Sequence, residues 1–241
     1  MTNPTAAMLV IGDEILSGRT RDSNMHHLAL QLTERGIRLH EVRVVADDHD
    51  AIVAGVVALR AGHDHVFTSG GIGPTHDDIT ADAIAAAFGV GISHRADAMA
   101  LLADHYGRQG LEFNEARQRM ARIPDGASLI DNPVSIAPGF TVGNVHVMAG
   151  VPRIFEAMVA GVLAGITGGA PLISRSHRVL RGEGEIATEF AAFAAGYPDL
   201  SMGSYPFNRN GAFGTNLVIR GTDAAMLDAA MARLAAMYPA R

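Results

Sequence analysis

Thr68-Ser69-Gly70-Gly71-Ile72-Gly73-Pro74-Thr75-His76-Asp77-Asp78-Ile79-Thr80 is a strand-to-helix turn. An apolar strand, residues 65–68, enters it, and a helical stretch, residues 79–88, leaves it and is closed by Gly89. The glycines let the backbone approach a ligand and point N–H groups inward, and the helix start that follows favours anions. The run is not a Walker A loop, because no Gly-Lys-Ser/Thr follows. Nor is it the dinucleotide fingerprint, because His76 stands where a third glycine belongs. On composition alone, a tight turn explains it as well as a phosphate cradle does.

Upstream, the pattern repeats. Residues 6–11 form an apolar run that stops at Gly12-Asp13-Glu14. A helix follows, with Asp22, Ser23 and Asn24 as N-cap candidates, Met25, Leu28 and Leu32 on one face, and Gly36 at its end. Residues 37–46 read as a strand ending at Asp47-Asp48, and residues 51–61 as a helix. This β-α-β-α-β-α order predicts an α/β fold, a doubly wound and mostly parallel sheet with helices on both faces. Downstream, residues 95–121 read as two helical pieces broken near Gly107 and Gly110. Pro124, Pro133, Pro138 and Gly139 mark an irregular stretch. Residues 146–148 are the last strand and residues 151–166 its helix. Thr167-Gly168-Gly169-Ala170-Pro171 is the best linker, giving domains over 1–168 and 172–241. The second reads as a small α+β module: strand 174–180, helix 186–195, strand 201–206, a hairpin signal at Asn210-Gly211, strand 215–220 and helix 224–237.

Composition removes several classes. Hydrophobic residues at 48% allow a sizeable core and exclude full-length disorder. A net charge of -6 argues against a general nucleic-acid binder, which needs a basic face. It leaves room for a small anion held by a metal or by backbone N–H groups. With Cys at 0 there is no disulfide, thiol nucleophile or Cys-ligated zinc, which is compatible with a cytoplasmic site. The N-terminus lacks a basic region and does not read as a signal peptide. Residues 157–174 carry no charge, but Gly161, Gly165 and Pro171 make them a buried helix end running into the linker, not a membrane span.

Acids recur at one position in the pattern. Asp13 and Glu14, Asp47 and Asp48, and Asp77 and Asp78 follow the C-terminal ends of three successive strands. Ligands of an open parallel sheet bind beyond those ends, so the three loops are expected to converge on one crevice. Converging carboxylates repel, and need a cation, a shared proton or solvent. Hard oxygen donors favour Mg²⁺ with a phosphate as co-ligand. Each Asp taken singly has a simpler reading as a helix cap; the three loops together favour a site. The loop Asn132-Pro133-Val134-Ser135-Ile136-Ala137-Pro138-Gly139 is rigid and, alone, uninformative. The histidines lack ligand spacing, with no HExxH, and read as surface or core filler. No GxSxG supports a serine hydrolase.

Taken together, Gly12 to Gly18, Asp22 to Asn24, Asp47-Asp48, Gly70 to Thr80, Asn132 to Gly139 and Gly150-Val151-Pro152 resemble the molybdopterin-binding (molybdenum cofactor biosynthesis) domain family. The likeness covers residues 6–166 and is greatest to its competence/damage-inducible protein A branch, CinA. It implies a domain that binds a pterin or nucleotide phosphate. Relatives include molybdopterin adenylyltransferases, and the CinA branch is associated with metal-dependent pyrophosphatase activity on ADP-ribose. The aspartates of adenylyl transfer fall by position on Asp47 and Asp78, which are expected to be catalytic and to hold a divalent metal (Mg²⁺, Mn²⁺ or Co²⁺). Gly12, Asp13, Glu14, Gly70, Gly71, Gly73, Thr75, Asp77, Thr80, Pro138 and Gly139 are expected to bind substrate or its phosphates. The alternatives are a non-catalytic molybdopterin or nucleotide binder and an adenylyltransferase. The expected partners are small-molecule nucleotide or pterin phosphates and further copies of the chain, with no nucleic acid and no membrane. The sequence departs from the branch at Ser135, where Gly is usual, and at Met148-Ala149, where Leu-Pro is usual. Gly203-Ser204-Tyr205-Pro206 resembles the branch's small KH-like domain, without the Gly-x-x-Gly and basic flanks of an RNA binder. The branch's C-terminal deamidase domain is expected to be absent, since the chain ends at Arg241, and with it the deamidase activity.

Overall fold

The computed structural model describes residues 3–209 and 211–239. It divides into two compact units, Met1–Gly169 and Ala170–Arg241.

In the first unit the chain runs β1 (Thr5–Ile11), α1 (Asp13–Leu16), α2 (Asn24–Glu34), β2 (Arg38–Val45), α3 (His49–Gly62), β3 (His65–Ser69) and α4 (Thr80–Phe88). It continues through β4 (Ile92–His94), α5 (Ala96–Arg108), α6 (Glu115–Arg119), β5 (Arg122–Pro124), β6 (Ser128–Ile130), β7 (Gly139–Val142), β8 (Val145–Met148) and α7 (Pro152–Ala164). Six strands form one sheet in the order β2-β1-β3-β8-β7-β6. The first four are mutually parallel, and the β6–β7–β8 end is antiparallel. The fold is therefore α/β with a mostly parallel central sheet. The irregular stretch around Pro124 to Gly139 hides two short strands, β6 and β7. Strands of three and four residues between prolines are too short to show a period.

β1 explains the layering. All but its first residue are buried, because side chains alternate across a sheet that is covered on both faces. Ala7, Leu9 and Ile11 meet Ile52, Val56 and Leu59 of α3 and Ile84 of α4. Ala6, Met8 and Val10 meet Leu28 and Leu32 of α2 and Phe155, Met158 and Leu163 of α7. After β1 the chain turns to β2 on one side, then crosses to β3 on the other. That reversal opens a crevice beyond the C-terminal ends of β1 and β3, where doubly wound sheets bind ligands. Among the described residues no helix is long and apolar enough to cross a membrane.

One core residue titrates. His146 on β8 is 7% exposed. Its Nδ1 lies 3.1 Å from the Thr141 hydroxyl and its Nε2 3.3 Å from His65 Nδ1. Burial, and then the charge of His65, push the His146 pKa down from 6.5 to about 4. The folded chain thus binds fewer protons than the unfolded one between those values. His146 contributes its full stability above about pH 6.5 and loses it as the pH falls through about 4. The linked loss is about 3 kcal/mol. In urea titrations, His146→Leu should flatten the fall in stability between pH 7 and pH 4. An unchanged pH slope would remove His146 as its source.

The second unit contains β9 (Ile173–Val179), α8 (Glu183–Ala195), β10 (Ser201–Arg209), β11 (Ala212–Gly221) and α9 (Ala224–Met237). Its strands form an antiparallel sheet in the order β10-β11-β9. Val179, Ile186, Phe190, Leu217, Ile219, Leu227 and Leu234 make its core. Asp223 caps α9 by accepting from Ala225 N and Met226 N. Of the hairpin signal Asn210-Gly211, Asn210 lies outside the described residues.

Candidate functional site

A cleft of about 530 Å³ opens at the C-terminal ends of β1, β2 and β3. Each strand hands it one loop. After β1 come Gly12 and Glu14, after β2 Asp47, and after β3 the run from Gly70 to Pro74 with Asp77 and Asp78. Asn132, Ser135 and Ala137 line another wall, with Ala149, Gly150, Val151 and Pro152 at the start of α7. Four carboxylates and no arginine line it, and the sequence contains no lysine.

The glycine loop is shaped by backbone constraints. Gly70 and Gly71 have φ of +114° and +68°, a region that side-chain-bearing residues avoid. A Cβ on Gly70 would collide with the Ile11 carbonyl, and one on Gly71 with the Thr80 hydroxyl. Thr80 is buried behind the loop; its hydroxyl donates to Gly70 O (3.0 Å) and its N–H to Gly71 O (3.0 Å). Gly70 N–H donates to Met148 O (3.1 Å), so it is not free for a ligand. The N–H groups of Gly71, Ile72 and Gly73 have no partner among the described residues. Consecutive free donors of this kind form an anion-binding concavity.

The paired acids separate by role. Asp48 caps α3, its carboxylate accepting from Ala51 N at 2.8 Å. Asp47 instead lines the cleft and accepts from Asp13 N at 2.9 Å. Its pKa is raised, first by burial and then by the charges of Asp13, Glu14 and Asp77, against the lowering effect of that N–H. Asp78 lies in the turn, two residues ahead of the helix. α4 begins at Thr80. Asp78 accepts from Thr75 N (2.8 Å) and the Thr75 hydroxyl (2.6 Å) through one oxygen, Oδ2. That local bond competes with helix formation and closes the loop short of it.

The remaining expected residues lie around the cleft without lining it. Asp13 reaches it through its N–H on Asp47, Thr75 through Asp78, and Thr80 through Gly70. Pro138 lines a small separate recess behind Gly71–Gly73. Gly139 is buried at the start of β7, where a Cβ would collide with Val147 O.

Two asparagines carry more of the architecture than their sequence signals suggest. Asn24 is 4% exposed. It does not cap α2; Asp22 does, accepting from Asn24 N and Met25 N. Its Nδ2 donates to Ser69 Oγ (2.7 Å) and Gly150 O (2.8 Å), tying the end of β3 to the start of α7. Its Oδ1 is buried with no partner among the described residues. Asn132 is 1% exposed. It donates to Ser135 Oγ and Ala137 O and accepts from Val134 N and Ser135 N. These bonds hold Ile136 at φ +68°, strained for a β-branched residue. Their only cue in the sequence is membership of the quoted motifs.

Among the described residues no group of three or more His, Asp or Glu side chains is placed to hold a metal ion. Asp47 and Asp78 offer hard oxygen donors in a crowd of negative charge, which suits an ion bound by one or two carboxylates and completed by water and phosphate.

A doubly wound α/β domain, with an acidic and glycine-lined cleft at its switch point, is the class that fold and site define. The chain belongs to the family described as probable molybdopterin binding domain, whose model matches residues 7–168. Within it the chain is CinA-like. A CinA-like protein from Citrifermentans bemidjiense is 39% identical over 167 residues, 67% of this chain and 40% of that protein. A protein from Saccharolobus islandicus strain M.16.27 is 36% identical over 156 residues, 63% of this chain. The matched part spans 59% of the length of that relative. Among solved structures, a CinA of unknown function from Thermoplasma acidophilum is 34% identical with a TM-score of 0.63, covering 68% of this chain and 98% of that one. Residues 171–241 match the family described as FAD synthase, middle domain.

Proposed function

We propose that the cleft binds a nucleotide diphosphate of the ADP-ribose type and hydrolyses its phosphoanhydride with a divalent cation. One observation carries the reading: the free N–H groups of Gly71, Ile72 and Gly73 share a cleft with Asp47 and Asp78. The N–H groups hold a non-bridging phosphate oxygen and stabilise charge that grows in the transition state. Asp47 and Asp78 would hold the cation, which when bound would supply positive charge to offset that of the phosphates. Glu14 and Asp77 are carboxylates within the same cleft and can orient the attacking water. Thr75 fixes one oxygen of Asp78 and leaves the other free to face the ligand.

The family description favours a second reading, a pterin phosphate in the same cleft, either carried unchanged or adenylylated. Incubation with ADP-ribose, and separately with ATP, in Mg²⁺, Mn²⁺ or Co²⁺ separates the two. Chromatography should show AMP and ribose phosphate from ADP-ribose. Tight binding without product would leave a carrier, and transfer of AMP from ATP to a pterin phosphate would make the chain an adenylyltransferase.

A further inference from the structure

β2 ends the six-stranded sheet, pairing only with β1 among the described residues. The carbonyl of Val45 accepts from Gly12 N, toward β1. Successive backbone groups alternate in direction along a strand. Glu41, Arg43 and Val45 therefore face β1, and the N–H and C=O groups of Val42 and Val44 face outward. Those outward groups have no partner among the described residues. An edge of this kind is a template for pairing unless it is blunted by proline, a bulge or inward charge. β2 itself carries one bulge, at His40, because Ala6 pairs with Leu39 and Ala7 with Glu41; from Glu41 to Val45 the strand is regular and unblunted. Val42 and Val44 are 38% and 41% exposed.

Charge then selects a partner. Glu41 and Arg43 lie on one face of the strand, joined at 2.7 Å. When two copies of a strand pair antiparallel about a two-fold axis, one residue must stand opposite itself. A centre at Glu41 sets two carboxylates against each other, and a centre at Arg43 sets two guanidinium groups against each other. Like charges directly opposite destabilise a pair. A centre at Val42 instead sets Glu41 against Arg43 twice. It also brings the outward N–H and C=O of Val42 against their own copies, as a hydrogen-bonded pair requires. The backbone groups permit all three centres, and charge selects Val42 among them.

We propose that β2 pairs antiparallel with β2 of a second copy of this chain, centred on Val42, so that the sheet continues across a two-fold axis. This stands apart from the ligand of the cleft. The chain has Cys 0, so a single introduced cysteine reports the register. Val42→Cys should oxidise to a disulfide-linked dimer, its Cα atoms being about 5.5 Å apart across the axis. Val44→Cys should not, since its copies lie about 13 Å apart along the strands. In sedimentation the wild type should be a dimer. Glu41→Arg, which gathers four arginines at the axis, should be a monomer, and adding Arg43→Glu should restore the dimer. A monomeric wild type, a Glu41→Arg variant as dimeric as wild type, a charge-swapped variant that stays monomeric, or cross-linking as efficient at Val44 as at Val42 would each overturn the proposal.

Discussion

Asp78→Asn is expected to lower metal-dependent turnover of ADP-ribose by about 10²-fold or more, the scale of one lost transition-state charge contact, while the apo protein melts near the wild-type temperature. The bonds of Asp78 make the two effects separable. Its Oδ2 closes the loop by accepting from Thr75 N and the Thr75 hydroxyl, and the amide oxygen of asparagine can accept both. The loop shape is therefore kept. What changes is the charge, and a neutral amide oxygen is a much weaker partner than a carboxylate for a hard cation. If Asp78 serves only to close the loop, both melting and turnover will stay near wild type. Full turnover in the variant would remove Asp78 from the catalytic group and leave it a turn residue.

The second large effect is expected on chelation. With EDTA, the affinity for ADP-ribose should fall by about 10²-fold or more, equivalent to about 2.7 kcal/mol. The ligand brings a pyrophosphate into a cleft lined by Glu14, Asp47, Asp77 and Asp78. No arginine lines it to offset that charge. The free N–H groups of Gly71, Ile72 and Gly73 carry only partial charge, so they orient a phosphate better than they neutralise one. Asp47 already shows the crowding, since neighbouring carboxylates add to burial in raising its pKa. Calorimetry with and without chelator measures the effect. Equal affinity in both would mean that the N–H groups suffice and that the cation has no part in binding.

The two predictions rest on features legible to different degrees in the sequence. The order of strands and helices through residue 88 follows from apolar runs too short for helices, separated by helical periods and stopped by glycine. The glycine turn at Gly70 to Gly73 is legible for a sharper reason. Two of its residues take positive φ against a neighbouring carbonyl or hydroxyl, a place only glycine fits. The positions of the acids after each strand are equally visible, because a parallel sheet puts all its C-terminal ends on one side.

Tertiary structure decided what each acid does. Asp47 and Asp48 are neighbours of the same type, yet one caps a helix and the other accepts from the N–H of a different loop in the cleft. The difference lies in where the strand stops and which way each side chain then points, and composition does not encode that. The hairpin of β6 and β7 was likewise hidden, its short strands existing only because β8 offers them an edge. Asn24 looks like a cap in sequence and is a buried strut between Ser69 and Gly150 in space, 45 and 126 residues away along the chain. The sequence by itself determined the layers, the glycine turn and the end of the sheet where charge collects. Which carboxylates meet there, and what holds their loops together, was decided by contacts between residues far apart in the chain, formed only when the sheet closes.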